Sequence, residues 1–287
     1  MTKSKLIFGT VGSPKSTPKR PGGSPGAIAQ IRALGMDALE LGWVRSVNVK
    51  EKTCALIKAA AEEFDVQISV HASYFFNLNA TAEEWPKSRK RLIDAAHFGH
   101  LAGATDIIFH PGSYFGRPPA EVLEVALPRL RACLDELRAN DNPVILRPET
   151  MGKSAMLGSL EDTIVMAQEI DGVAPCIDFA HLHARPGDGS VNSKAEFEAI
   201  LKTIKKGLGE KALKSMHIHM SGIEYGPKGE KKHLPLKEAD LQYRLLMQVL
   251  AENKCAGRVL MEGPPMEADA LLLKKAYEKA LKVGSTI

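Results

Sequence analysis

The stretch Gln67-Ile-Ser-Val-His71 is a short apolar run that ends in a histidine, and Asp106-Ile-Ile-Phe-His110 repeats this design further along the chain. Apolar runs of this length, bounded by turn-forming residues, are typical of buried β-strands. Other such runs are followed by metal-binding side chains, namely Glu149, Asp178 and Glu262, and His217 opens a further run, His217-Ile-His-Met-Ser221. Because a closed parallel barrel gathers the carboxyl ends of its strands at one rim, the pattern predicts that these six side chains meet there.

Apolar runs alternate with segments of helical periodicity, which is the element order of a (β/α)8 barrel, or TIM barrel. Strands are predicted over residues 6–9, 38–41, 67–70, 106–109, 144–146, 175–177, 216–219 and 258–261. Helices are predicted over residues 27–34, 48–64, 81–102, 118–139, 159–170, 193–207, 237–253 and 266–283. A doubly wound open sheet is the competing fold, but no Gly-x-Gly-x-x-Gly motif follows the first strand, which argues against a dinucleotide site. We therefore expect one α/β domain over residues 1–287, a TIM barrel with its site at the C-terminal rim of the strands.

The composition excludes several classes of protein. With 44% hydrophobic and 25% charged residues, the chain has the balance of an ordinary globular protein. No apolar stretch approaches the roughly 20 residues that a membrane span needs, and no secretory signal is recognised, so we expect a cytoplasmic protein without a membrane partner. The four cysteines are scattered without a CxxC pair and are expected to be reduced. A net charge of +4 permits a polyanionic partner without requiring one.

The residue types at the strand ends are those that bind zinc. Zinc takes imidazole nitrogen and carboxylate oxygen at about 2.0–2.2 Å, and two ions about 3.5–4 Å apart suit phosphodiester hydrolysis. A carboxylate can bridge two ions and a neutral imidazole cannot, so such a cluster needs a few carboxylates and several histidines. The carboxylates would be Glu149, Asp178 and Glu262, and the nitrogens would come from His71, His110, His181, His217 and His233. Each residue alone is explained more simply as a hydrogen-bonded rim residue, and only their joint occurrence predicts a polynuclear metal site.

Five segments around these residues resemble a known family. They are His71-Ala-Ser-Tyr-Phe-Phe-Asn-Leu-Asn79, His110-Pro-Gly112, Glu149-Thr-Met-Gly-Lys153, Cys176-Ile-Asp-Phe-Ala-His181 and Met261-Glu-Gly-Pro264. Together they resemble the endonuclease IV family, the zinc-dependent apurinic/apyrimidinic endonucleases of the xylose-isomerase-like TIM-barrel superfamily. The resemblance implies a DNA repair hydrolase that cleaves the backbone 5′ of an abasic site in double-stranded DNA, leaving a 3′-hydroxyl and a 5′-deoxyribose phosphate. It also implies a monomeric enzyme and Zn²⁺, with Mn²⁺ as a second candidate.

The resemblance also implies roles for single residues. One zinc would be held by His71, His110 and Glu149, a second by Glu149, Asp178, His217 and Glu262, and a third with the help of His181 and His233. Glu149, which would bridge the first two ions, and Glu262 are the implied catalytic residues. Tyr74 and Asn77 match a loop that the family sets against DNA. Basic residues in polar loops would contact phosphates, or would be plain solvated charge: Lys15, Lys19, Arg20, Arg45, Lys231 and Lys232.

Three departures from the family pattern indicate a divergent member. Lys231 stands where the family has an acidic ligand for the third zinc, so two zinc ions are expected and a third depends on Glu230, His219 or water as a substitute. The run His217-Ile-His219-Met220 lacks the polar residues that follow this histidine in the family. The segment 42–47 is shorter than the family's lesion-probing loop, which leaves Arg45 or Trp43 to fill the gap at the missing base.

Two other functions compete with this hypothesis. In a sugar isomerase or epimerase of the xylose-isomerase-like barrels, a single divalent ion would be held by Glu149, Asp178, His217 and Glu262. The remaining histidines would then be surplus. In a DNA-binding relative without catalysis, abasic DNA would be bound and left uncut. A metal count separates the first two functions, because two or more zinc ions favour phosphodiester cleavage and one manganese or magnesium ion favours isomerisation.

Overall fold

Eight parallel strands form a nearly closed barrel in the computed structural model, which describes residues 5–284. The strands are β1 (Leu6–Val11), β2 (Ala38–Gly42), β3 (Gln67–His71), β4 (Ala104–Phe109), β5 (Ile145–Pro148), β6 (Cys176–Asp178), β7 (Met216–Met220) and β8 (Gly257–Met261). Their hydrogen-bonded order is β5-β4-β3-β2-β1-β8-β7-β6. Parallel bridges from Leu146 to Val173 and from Glu149 to Cys176 bring the two ends of this sheet together. The predicted TIM barrel is confirmed, and one domain over residues 1–287 stays a prediction.

Helices pack around the barrel. They are α1 (Gly23–Ala33), α2 (Glu51–Phe64), α3 (Trp85–Leu101), α4 (Pro119–Ala139), α5 (Leu160–Glu169), α6 (Phe179–Ala184), α7 (Lys194–Leu208), α8 (Tyr243–Glu252) and α9 (Glu267–Gly284). The helix predicted over residues 237–253 is wrong in its first part, which is a 3-10 turn over Leu236–Glu238 followed by residues without regular secondary structure. That segment brings the carboxylate of Asp240 to the Tyr225 hydroxyl at 2.7 Å and to His183 Nε2 at 3.1 Å.

The outward faces of the strands and the inner faces of the helices form the hydrophobic core. Val70 and Ile107, for example, are fully buried and lie outside the barrel, under Gly99 of α3. A Cβ at Gly99 would lie 2.7 Å from Ile107 Cδ1, so the absence of a side chain lets the helix approach the strands closely. Because side chains alternate along a strand, the residues on either side of these apolar positions face the barrel interior.

The barrel interior is unusually polar and is arranged in layers. Near the N-terminal ends of the strands, Asp106 pairs with the guanidinium groups of Arg147 and Arg258, the latter at 3.2 Å. We call these three buried residues the floor cluster. Arg147 also donates hydrogen bonds to the carbonyl oxygens of Pro175 and Ser215, at 3.0 and 3.1 Å. The floor cluster closes the end of the barrel opposite the rim.

Two small antiparallel ribbons stand on the C-terminal rim. The rim ribbon pairs Gly222–Gly226 with Gly229–Leu234, and a shorter one pairs Gly112–Ser113 with Met156–Leu157. The sequence alone indicates only a polar loop around residues 228–232. All four cysteines are buried and free, and among residues 5–284 no helix has the length and apolar character needed to cross a membrane.

Candidate metal centre

Histidines and carboxylates from six strands meet at the C-terminal rim. Of the eight predicted ligands, the structure brings seven together there: His71, His110, Glu149, Asp178, His181, His233 and Glu262. Several groups of potential ligand atoms lie within 4.8 Å of one another, and three of these groups together include all seven residues. They are site 1 (His71, His110, Glu149), site 2 (Glu149, Asp178, His219, Glu262) and site 3 (His181, Glu230, His233).

Glu149 is fully buried at the centre of these groups, and its two carboxylate oxygens face different histidines. Oε2 lies 3.3 Å from His71 Nε2 and 3.4 Å from His110 Nε2. Oε1 lies 3.1 Å from His181 Nδ1 and 3.4 Å from His219 Nδ1. A carboxylate whose oxygens are directed at two separate sets of nitrogens has the arrangement of a bridging ligand.

Asp178 is oriented by the short helix α6 that begins directly after it. Its Oδ1 accepts a hydrogen bond from the His181 backbone N–H at 2.7 Å and thereby caps the helix. Its own N–H donates to Thr150 Oγ1 at 2.8 Å. Oδ2 is buried without a hydrogen-bond partner and lies 3.6 Å from His181 Nδ1. One oxygen therefore fixes the local fold, while the other is left for the site.

Glu230 provides the carboxylate of site 3. One of its oxygens lies 3.6 Å from His181 Nε2 and the other lies 3.8 Å from His233 Nε2. The backbone holds it there, because the Glu230 N–H donates to the Gly152 carbonyl at 2.8 Å. A Cβ at Gly152 would lie 2.8 Å from Glu230 Oε2 and 3.0 Å from His181 Cδ2, so only glycine leaves room for this group.

A β-bulge explains why Glu230, and not Lys231, faces His233. In the rim ribbon, Glu224 pairs with Lys232, and the next residue, Tyr225, pairs with Glu230. Lys231 therefore has no partner on the opposite strand and is the extra residue of the bulge. Since side chains alternate along a strand, one inserted residue puts Glu230 and His233 on the same face although they are three positions apart. Lys231 is exposed, and its ammonium group lies 3.4 Å from Glu224 Oε1.

The expectation that His217 shares the carboxylates of site 2 has to be corrected, because His219 lies in that place. Both residues are on β7 and face the barrel interior, but His217 is two positions closer to the floor, or roughly 7 Å deeper at the usual rise of a strand. His219 Nδ1 lies 3.4 Å from Glu262 Oε1. His217 Nε2 lies 2.9 Å from Glu40 Oε2, a buried carboxylate that was not predicted.

The histidines and carboxylates of the cluster shift one another's pKa values. Burial alone would raise the pKa of Glu149, but His219, His110 and His181 hold it well below the usual range. Burial would lower the pKa of His181, but Asp178 and Glu149 raise it well above the usual value. In Asp178 burial prevails and the pKa is raised. Protonated imidazoles thus balance the carboxylates in the metal-free protein, and divalent cations would replace these protons.

Buried nitrogen and oxygen atoms without hydrogen-bond partners indicate whether the cluster could bind a metal ion. Glu149 Oε1, Asp178 Oδ2 and His219 Nδ1 are buried and have no hydrogen-bond partner among the described residues. Each unsatisfied atom of this kind costs about 1–3 kcal/mol, and such atoms are uncommon in proteins. Cations at the rim would satisfy them, and a donor set of imidazole nitrogens and carboxylate oxygens suits zinc or manganese. The residues therefore fit a metal centre.

The predicted DNA contacts lie on the same rim but differ in their surroundings. Tyr74 is 52% exposed, and its ring stacks on His110 with 4.9 Å between the ring centroids. Asn77 instead folds its own loop, since its Oδ1 accepts a hydrogen bond from the Asn79 N–H at 2.8 Å. Asn77 is also packed against Gly112, where a Cβ would lie 1.9 Å from that oxygen. Tyr74 is available to a ligand, whereas the Asn77 side chain is already in use.

The basic residues predicted to contact phosphates are all exposed. Lys15, Lys19 and Arg20 lie in the loop after β1, and Arg45 lies in the loop after β2, so all four follow the C-terminal ends of strands. In the rim ribbon, the ammonium groups of Lys231 and Lys232 both pair with Glu224, at 3.4 and 3.2 Å. Exposed pairs of this kind contribute little free energy and do not prevent other contacts.

The fold and the rim define a (β/α)8 barrel whose mouth gathers metal-binding side chains. The chain belongs to the xylose isomerase-like TIM barrel family, whose pattern matches residues 28–283. An uncharacterised protein of Methanocaldococcus jannaschii is 38% identical over 275 residues, 96% of this chain and 97% of that protein. A probable endonuclease 4 of Staphylococcus saprophyticus is 30% identical over 169 residues, 55% of this chain and 53% of its own length.

Solved structures show the same fold. Endonuclease IV from Thermus thermophilus superposes with a TM-score of 0.71 at 22% identity, over 95% of this chain and 99% of that one. A D-tagatose 3-epimerase-like protein superposes with a TM-score of 0.70 at 19% identity, over 97% and 98% of the two chains. The predicted resemblance to endonuclease IV is confirmed, and the divergence expected from the sequence agrees with these modest identities.

Proposed function

We propose that the protein is a zinc-dependent DNA repair endonuclease that hydrolyses the phosphodiester 5′ of abasic sites, leaving a 3′-hydroxyl and a 5′-deoxyribose phosphate. It would act on double-stranded DNA as a cytoplasmic monomer. The observation that carries this proposal is the geometry of Glu149, whose two oxygens face two different pairs of histidines at 3.1–3.4 Å. A single ion would need only one of these sets, whereas adjacent ions need a carboxylate between them.

In this proposal, sites 1 and 2 would each hold a zinc ion and share Glu149. Site 3 would hold a third, with Glu230 in the role that Lys231 cannot fill. Bound zinc would supply hydroxide near neutral pH and stabilise negative charge on a leaving oxygen. The chain's own part is to hold the carboxylates in place without water around them, since Glu149 and Asp178 are fully buried and Glu262 is nearly so.

The surface of the rim supports a polyanionic substrate. Tyr74 offers an exposed aromatic ring beside His110, on which a base or a deoxyribose next to the lesion could stack. Lys15, Lys19 and Arg20 are exposed in the loop that follows the C-terminal end of β1, and they would bind phosphates without sequence preference. Substrate binding should therefore weaken as salt rises, and replacing both lysines with alanine should reduce the slope of log K against log salt by about 2.

A second candidate is a sugar isomerase or epimerase with a single divalent ion. Site 2 supports it, because two glutamates, one aspartate and one histidine within 4.8 Å of one another suffice for one ion. The structural similarity to a D-tagatose 3-epimerase-like protein agrees with this candidate. Sites 1 and 3 would then bind no metal ion, which is why we rank the isomerase or epimerase second.

Two measurements on the purified protein test the proposal. Elemental analysis should give at least two zinc ions per chain. A duplex with a single tetrahydrofuran abasic analogue should be cut once, on its 5′ side, and EDTA should stop the cleavage, while an otherwise identical duplex without the lesion stays intact. A single manganese or magnesium ion together with epimerisation of ketohexoses would favour the second candidate. Tight binding of the lesion duplex without cleavage in the presence of zinc would indicate a non-catalytic DNA-binding protein.

A further inference from the structure

Below the rim, the carboxylate of Glu40 joins three side chains in the middle of the barrel. It lies on β2 and is fully buried. Its Oε2 accepts hydrogen bonds from Ser69 Oγ at 2.7 Å and from His217 Nε2 at 2.9 Å. Its Oε1 lies 3.0 Å from His219 Nε2, within ion-pair distance, and neither of these two atoms has a hydrogen-bond partner among the described residues. Glu40 therefore has one oxygen for His217 and Ser69 and the other for His219.

The two ring nitrogens of His219 face opposite directions. Nε2 points down to Glu40, and Nδ1 lies 3.4 Å from both Glu149 Oε1 and Glu262 Oε1 at the rim. An imidazole that binds a metal through one nitrogen carries its proton on the other, and a carboxylate beside that proton fixes both the tautomer and the angle of the ring. Glu40 occupies the position from which such a carboxylate acts on His219.

We propose that Glu40 is a positioning residue, which holds His219 with Nε2 protonated so that Nδ1 is the donor to site 2. The inference rests on the proposed function, because it requires a metal ion at the rim. His217 and Ser69 contribute indirectly, since their hydrogen bonds to Oε2 hold the carboxylate and leave Oε1 to His219. His217 thus supports the site from below, although it is not in the position predicted for it.

The competing arrangement places an ion one layer deeper. The thiol of Cys176 and the imidazoles of His217 and His219 also lie within 4.8 Å of one another, all fully buried. Glu40 does not belong to this group, and an ion held there would take His219 as its own ligand in place of site 2. Thiolate ligands give strong charge-transfer absorption with cobalt, so the two arrangements can be distinguished spectroscopically.

The test uses E40Q, S69A and, as a control, D106N, which removes a buried carboxylate from the floor cluster of the same barrel. Zinc affinity of the metal-free proteins is measured by competition with a chromophoric chelator, at a temperature at which circular dichroism shows each variant folded. Glutamine offers an oxygen to only one of the two imidazoles, so E40Q should weaken zinc binding about 10–100-fold. S69A removes one hydrogen bond from Glu40 without reaching His219 and should weaken it less, and D106N should leave it unchanged.

A second measurement reports on the ring itself. In the zinc-loaded wild-type protein, ¹⁵N NMR should show His219 with a metal-shifted Nδ1 and a protonated Nε2, and E40Q should disturb this pattern. Equal zinc affinity and an unchanged His219 spectrum in E40Q would overturn the role of Glu40 while the metal centre stands. If E40Q does not fold, wild-type affinity in S69A overturns it instead. A cobalt–thiolate band in the wild type would also overturn it, and a wild type that binds no zinc would overturn the proposed function as well.

Discussion

Both ends of the barrel interior carry buried charged groups, but the surroundings of these groups differ. At the floor, Asp106 is enclosed by Arg147 and Arg258, and these groups also bond to backbone carbonyls and to the Gln67 and Thr105 side chains. At the rim, the carboxylates of Glu149 and Asp178 each keep a buried oxygen without a hydrogen-bond partner. No buried side-chain atom of the floor cluster lacks a hydrogen-bond partner, whereas several buried atoms at the rim do.

The difference indicates that the charged residues of the floor stabilise the fold, whereas those of the rim are held in place by the fold and are available for a ligand. A buried ion pair is costly to break, because removal of one partner leaves the other uncompensated. Imidazoles at the rim can lose their protons when a neighbouring carboxylate is removed, so the fold depends less on each rim residue. Replacing carboxylates at the two ends should therefore have opposite effects on activity and on stability.

The largest effect on activity is expected for E149Q. The change removes the charge that would be shared by sites 1 and 2 while it keeps the shape of the side chain. Mutation of a residue that only orients a metal ligand typically reduces activity roughly 10–100-fold. Because Glu149 would itself bind the metal ions, the rate of cleavage of an abasic duplex should fall by more than this. The free energy of unfolding of the metal-free protein, measured in urea, should change little. Turnover at the wild-type rate would refute the bridging role of Glu149.

The opposite pattern is expected for D106N. Two buried guanidinium groups would lose their common carboxylate, so the free energy of unfolding should fall by about 3–5 kcal/mol. Activity per folded molecule should remain at the wild-type level, because the floor cluster lies at the other end of the barrel from the rim. Urea denaturation and an active-site titration measure the two quantities. A loss of activity as large as that of E149Q would show that the two ends are not independent.

Protonation should affect the rim and the floor in different ranges of pH. Burial alone would raise the pKa of Asp106, but Arg147 and Arg258 hold it well below the usual range. Its stabilising contribution is therefore present above the unfolded value of about 3.9 and is lost only as the pH falls towards the folded value. Metal binding, in contrast, requires deprotonated ligands and weakens from neutral pH downwards. Dialysis at about pH 5 should release zinc while circular dichroism still shows a folded barrel, and simultaneous unfolding would contradict this separation.

The smallest expected effect is a change in zinc content at site 3 alone. E230Q should reduce the zinc content by about one ion per chain, because the amide removes the only carboxylate of that group. K231A is the matched control one position away, and it should leave the content unchanged, since Lys231 points to Glu224. Elemental analysis after removal of loosely bound metal measures both. If K231A changed the zinc content and E230Q did not, the assignment of the carboxylate would be wrong.

The sequence predicts the barrel and most of the rim because strand ends are local features. His71, His110, Glu149 and Glu262 each follow an apolar run, and parallel packing suffices to bring them together. Depth along a strand is harder to predict, because His217 and His219 share a face and only the register of β7 with its neighbours decides which one reaches the rim. Glu40 was missed although it is a single carboxylate in the run Ala38-Leu-Glu-Leu41, since its partners are distant in the chain.

The features that depend on irregular backbone could not be predicted. The rim ribbon was expected to be a polar loop, and nothing in its sequence indicates that Lys231 is the inserted residue of a bulge. Likewise, the segment before α8 has helical periodicity but is a 3-10 turn followed by irregular residues, in which Asp240 accepts a hydrogen bond from Tyr225 and contacts His183. In both places the tertiary contacts, and not the local pattern, decide which side chain faces inward.

The bulge in the rim ribbon has a consequence for the comparison of related chains. Matched by sequence position, Lys231 stands where the resemblance to endonuclease IV implies an acidic residue, as though a negative charge had been exchanged for a positive one. In the structure, Glu230 provides the carboxylate beside His181 and His233, because the bulge leaves Lys231 outside the regular pairing. The spacing in sequence between an acidic residue and a histidine therefore does not show whether a hairpin has both as potential metal ligands. Related hairpins are better compared by which side chains face the site.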